Sequence, residues 1–175
     1  MEIIQVLLRG LQLLWTLLLT ALVGNVIASN VAAASSASAL VNFTMFVVVV
    51  AWLVSLYGLA AGVVDSVSSR FASPAAVFIV DAVAAGIFLI TAIALAAKLG
   101  VVNCGDLQPG SKPGDWIGYG SLDDAKRCRE LQASTVFMWF LFVTVVVGIV
   151  LGRLGGGGHR MGGSVGVPSM SHIGR

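Results

Sequence analysis

Between Arg9 and Asp65 the chain runs for about 55 residues without a charged side chain, whereas one bilayer crossing needs only about 20 apolar residues. The Ser-, Ala- and Asn-rich stretch Ser29–Ser38 divides this run. The pattern predicts a first span over residues 11–28 and a second over 41–64. The short polar turn Asp65–Arg70 follows, and Pro74 stands where proline suits the first turn of a helix. A third span, 74–97, ends at Lys98. The long polar segment 100–129 contains Pro109, Pro113 and several glycines. A fourth apolar run, 131–151, ends at Arg153, and the Gly-rich segment 154–175 has the composition of a flexible tail. The fold expected is all-α: a bundle of four transmembrane helices with both ends on one side and the 100–129 loop on the other.

Composition fixes the solvent. The chain is 58% hydrophobic and 10% charged, with a mean hydropathy of +0.98. Soluble domains carry about 25% charged residues, so lipid must cover much of this surface. The net charge of +2 gives no case for nucleic acid. Ala37-Ser38-Ala39 offers a signal-peptide cleavage site. The first apolar run is longer than a signal core, however, and Glu2 dilutes a positive start, so the run is taken as a retained span.

Charge does not orient the bundle. Arg9, Arg70, Arg153, Arg160 and Arg175 fall on one side. Lys98, Lys112, Lys126, Arg127 and Arg129 fall on the other, and equal shares give the positive-inside rule nothing to act on. The cysteines break the tie. Cys104 and Cys128 are the only two, both in the long loop. A disulfide between them would place that loop in an oxidising compartment and both termini in the cytosol; two unrelated thiols are the alternative. No histidine lies in the loop to complete a zinc set. Ser121-Leu-Asp-Asp124 resembles a capping box, so a helix can start near Leu122 and continue into span four.

Small residues mark the faces where membrane helices meet. Ala51, Ser55, Gly58, Gly62 and Asp65 form a stripe on span two, and Thr144, Gly148 and Gly152 form one on span four. Thr16, Thr20 and Gly24 make a weaker stripe on span one, and Ala85, Ala92 and Ala96 share a face of span three. The stripes fit packing within one bundle or, for one of them, contact between protomers. Glu2, Gln5, Arg9 and Gln12 share one face at the N-terminus, which fits either a short interfacial helix or an extension of span one.

Asp81 is the one acid inside a span, about 10 Å along its helix at 1.5 Å per residue. An ionised Asp at mid-bilayer costs about 2.5–3.5 kcal/mol on insertion scales. It must be protonated, paired, or close enough to the interface to reach water. An interhelical hydrogen bond, to a Ser, Thr or Asn of span two, is the structural expectation. Otherwise, no nucleophile–base–orienter set is visible. His159 and His172 lie in the tail, and the glycines of 153–163 are not set between a strand and a helix, as a phosphate loop requires. Asn42-Phe-Thr44 is a glycosylation sequon placed close to the bilayer. The chain therefore reads as a non-enzyme.

The order of features resembles a known family. Val41-Asn-Phe-Thr-Met-Phe46 followed by Ser55-Leu-Tyr-Gly58 is similar to span two of fungal MARVEL-domain proteins of the non-classical export protein 2 type. Asp81 early in span three, and Arg127-Cys-Arg-Glu-Leu-Gln-Ala133 leading into span four, also fit. So does the tail motif Val165, Gly166, Val167, Pro168 and Ser169. The tail departs from the family in being Gly-rich rather than densely basic. The resemblance implies a multi-pass plasma-membrane protein with cytosolic ends that organises furrow-like, eisosome-associated microdomains and responds to sphingolipids. It also implies a link to unconventional secretion. The implied partners are membrane lipids, sphingolipid or sterol among them, together with further copies or other membrane proteins. No cofactor is implied beyond a bound lipid or sterol. The competing classes are an accessory subunit of a larger membrane complex and a small transporter or channel using Asp81.

Overall fold

In a computed structural model, residues 2–31, 35–63, 73–107 and 113–156 are described. They form four helices: α1 (Glu2–Ala28), α2 (Ser35–Val63), α3 (Pro74–Leu99) and α4 (Asp124–Gly156). All four are long and apolar enough to cross a membrane. Each packs on its sequence neighbour, and α4 closes the ring on α1. The helices therefore run up and down around a square, with α1 and α3 on one diagonal and α2 and α4 on the other. Residues 165–169 and Asp65 lie outside the described residues.

The helices outrun the apolar stretches that predict them. α1 begins at Glu2 rather than near 11, and its 27 residues make a rod about 40 Å long, against a hydrocarbon core of about 30 Å. The N-terminal polar face belongs to this same helix. Its Gln5, Arg9 and Gln12 face the bundle, while Ile3, Ile4 and Leu7 on the other side are exposed. That is the reverse of an interfacial helix, which turns its polar side to water.

Local chemistry sets the ends. Ser73 caps α3 by accepting from the Ala76 N–H, with Pro74 in the first turn. Gly100 ends that helix at φ +67°, a conformation glycine adopts without penalty. At α4 the cap stands two residues beyond the predicted Ser121. Asp123 accepts from the Lys126 N–H at 2.9 Å, and Asp124 turns back to the N–H groups of Gly120 and Ser121. Aspartate is at least as good a cap as serine, and here the carboxylate of Asp123 reaches the third amide of the helix. Asn42 lies well inside α2, so the sequon is helical.

Two apolar layers fill the square. In the middle, Leu19, Val48, Ala51, Ala85, Phe88, Met138 and Leu141 are buried. At the loop end, Val26, Val41, Leu95, Leu99, Ile117 and Leu131 surround Cys104 and Cys128. These cysteines form a disulfide with a Cα–Cα distance of 5.6 Å, which ties the segment after α3 to the first turns of α4. Arg127, beside it, is 1% exposed and points the other way. Its guanidinium donates to the carbonyls of Ile117 and Val26 and to Asn30 Oδ1. Val26 lies in the last turn of α1, where carbonyls lack helical partners and a cation is favoured. Trp116 donates to the Leu99 carbonyl at the end of α3. The Val31 N–H donates to Gly120. The loop is thus a plug that satisfies helix ends.

Cleaving this clamp has a measurable cost. Cys104→Ser is expected to lower stability by on the order of 3 kcal/mol, the chain-entropy value for a loop of this size. The fall should appear as a lower Tm in detergent and match that of wild type in reductant. An unchanged Tm, with thiol labelling of wild type that is equal with and without reductant, would exclude the bond.

Candidate functional site

The third layer, at the end where α1 begins and α4 finishes, is polar. On α1 the residues Gln5, Arg9, Gln12 and Thr16 follow one another at helical spacing and face inward. Arg9, Gln12 and Thr16 are buried. Asp81 enters from α3, seven residues past Pro74. Arg9 lies seven residues past Glu2, so both sit about 10 Å from the helix starts on the same side of the membrane. Equal depth lets them meet. Arg9 Nη1 donates to Asp81 Oδ1 at 2.9 Å, Nη2 donates to Asp81 Oδ2, and Nη1 also reaches Gln12 Oε1 at 3.0 Å. The pair is bidentate, the geometry in which guanidinium and carboxylate match best.

This contact crosses the diagonal. α1 and α3 do not pack on each other, so the long arginine side chain spans the centre of the bundle. Gly58 of α2 makes room. A Cβ built there would overlap Arg9 Nε, Cζ and Nη2. Gly148 of α4 serves the other polar side chains. Gln5 Nε2 donates to its carbonyl at 3.1 Å, and Gln12 Nε2 would lie 3.9 Å from a Cβ at that position.

The glycines therefore act differently from the close helix contacts expected of small-residue stripes. Gly58 admits the Arg9 side chain of the neighbouring α1, and Gly148 lies against the Gln5 and Gln12 side chains of the same helix. A Cβ on Gly62 would meet nothing within 4 Å, and one on Gly152 would come within 3.7 Å of Gln5. Ala51 and Ser55 are buried. Thr144 bonds only to carbonyls of its own helix. On α1, Thr16 is buried and Thr20 accepts from Trp52, while a Cβ on Gly24 would meet nothing within 4 Å. Ala85 and Ala92 enter the core, and Ala96 is exposed.

Asp81 has its partner on span one, not on span two as expected. Arg9 escapes a hydropathy reading because it precedes the uncharged run. The available signal was the equal distance of Arg9 and Asp81 from their helix starts, together with the Gln5–Arg9–Gln12–Thr16 spacing. Arg127 gives no comparable signal, because a loop-side arginine is ordinarily solvated.

Chemically, the site holds one neutralised charge pair and the amides that orient it. Among the described residues no cluster of His, Cys, Asp and Glu could hold a metal ion.

The four apolar helices and the inward-facing charge pair define a multi-pass, four-helix membrane protein. A family model for MARVEL, a membrane-associating domain, matches residues 2–151. The chain belongs to that family. No curated protein and no solved structure matches it.

Breaking a buried pair from one side strands a charge at a cost of about 3–5 kcal/mol. Asp81→Leu or Arg9→Met alone should therefore lower Tm sharply, and the double variant should recover most of the loss. Additive losses would dissolve the pair. Gly58→Ala should cost about 1–3 kcal/mol by overpacking. In an Arg9→Ala background the same change should be nearly neutral, a coupling that a double-mutant cycle reads directly.

Proposed function

We propose that this protein is a non-enzymatic organiser of the plasma membrane. In this reading it gathers or senses lipid microdomains of the eisosome-associated, sphingolipid-responsive kind, through its lipid-facing surface and contacts with further copies or other membrane proteins. The observation that carries the reading is membership of a membrane-associating family in a bundle whose intramembrane charge pair is spent internally. What remains for partners is an apolar belt, with Leu7, Leu53, Leu56, Ile90 and Val143 all exposed. The likeness of residues 41–46, 55–58 and 127–133 to fungal proteins of the non-classical export type supports the finer assignment. In this reading the termini are cytosolic and the disulfide-bonded loop faces outward, where a disulfide persists. Bound lipid or sterol is the only cofactor-like component.

A transporter using Asp81 has less support. The carboxylate is already paired, and the polar layer gives way to Leu19, Val47, Val48, Phe88 and Met138, all buried, in the middle of the bundle. The buried hydroxyls of Thr16, Thr44, Thr91 and Ser134 bond to carbonyls of their own helices rather than to one another.

The test is imaging. The tagged protein in living cells should be patchy at the plasma membrane and should redistribute when sphingolipid synthesis is blocked. A uniform distribution that ignores the block overturns the microdomain role. Purification in mild detergent should yield a homo-oligomer, whereas a stoichiometric foreign partner would make the protein an accessory subunit.

A further inference from the structure

At the loop end of the bundle the α3–α4 seam opens. Ala96, Ala97 and Gly100 on one side and Ala133 and Thr135 on the other are too small to close it, and they line a groove open to the lipid side. Deeper along the same seam, Phe88, Met138 and Leu141 fill the space completely. The groove therefore begins where α3 reaches the membrane surface and runs inward over alanines.

Its rim carries Arg129. This side chain is exposed and lines the groove, and it has no hydrogen bond or ion pair among the described residues. Lys98, next to the lining residues Ala97 and Leu99 though not itself in the lining, is likewise exposed and has no ion pair among the described residues. The nearby acids are engaged elsewhere. Glu130 accepts from Asn25 and pairs with Lys126, Asp106 accepts from Asn103, and Asp123 and Asp124 cap α4. Arg127, two residues before Arg129, is buried under the loop. Val101 and Val136, also groove-lining, are exposed.

We infer that this groove seats one anionic phospholipid, its phosphate on Arg129 with Lys98 adding charge, and an acyl chain on Ala97, Ala133 and Val136. The order of the chemistry matches the order of the ligand. A cation that pairs bidentately with phosphate sits at the level where α3 leaves the bilayer, and an apolar slot runs from it toward the bilayer centre. A soluble anion would use the arginine but leave the slot empty. The site stands apart from the organising role, because binding by purified protein tests the one and cellular distribution tests the other.

The experiment is native mass spectrometry of the full chain in detergent, after delipidation, titrated with phosphatidylglycerol or phosphatidylcholine. One phosphatidylglycerol is expected to bind at least tenfold more tightly than phosphatidylcholine. Arg129→Gln should erase that preference, and Lys98→Gln should reduce it. Ala133→Leu, which fills the slot, should weaken both lipids with Tm unchanged. Equal binding of the two lipids by wild type overturns the site, as does an unaltered preference in Arg129→Gln. Displacement of phosphatidylglycerol by millimolar inorganic phosphate would also overturn it, showing an anion site without a lipid slot.

Discussion

The bundle is organised around a charge pair that joins two helices whose backbones do not pack on each other. Most membrane bundles are held by neighbours packing on neighbours, through small residues and dispersion. Here each neighbour pair packs in that way, but the polar link across the diagonal α1–α3 is the pair Arg9–Asp81. Within lipid neither residue tolerates being left unpaired. The pair therefore fixes the axial register of two helices against each other. Gly58 is small because the arginine must pass there, while Gly148 offers its carbonyl to Gln5.

Polarity in this protein runs inside-out at one end and is sealed at the other. The terminus end hides amides and charges among four helices and shows lipid an apolar surface. The loop end does its polar work through backbone carbonyls. Arg127 and Trp116 donate to the ends of α1 and α3, and the Cys104–Cys128 bond holds the donors there. Both ends thus follow one rule: the buried guanidinium groups, Arg9 and Arg127, are spent on acceptors inside the protein.

Much of the fold was legible in the sequence because hydropathy reports lipid burial residue by residue. The uncharged run from Arg9 to Asp65, its break at Ser29–Ser38, Pro74 and the final apolar run together define four spans. The ends of the helices were not legible, since α1 continues through polar residues that hydropathy counts as outside. The site was half legible. Asp81 stands out in any reading as a lone acid, but its partner looked like an ordinary flanking cation. A flanking arginine and a buried one differ only in where the helix starts. The meaning of the glycines was equally hidden. Spacing shows that a face is small, but not whether backbone or a distant side chain fills the space.

The dependence of α1 on later segments bears on how the chain is built. Synthesis makes α1 before the other three helices, yet its buried charge is paired only from downstream. Asp81 lies 72 residues after Arg9, and Arg127, which closes the carbonyl of Val26, lies 101 residues after it. Until Asp81 emerges, the first helix carries an uncompensated charge near one end, whereas near the other end the Val26 carbonyl already accepts from the Ser29 hydroxyl of the same segment and only gains a second donor in Arg127. The first helix made is thus left with a stranded charge until the third has been delivered.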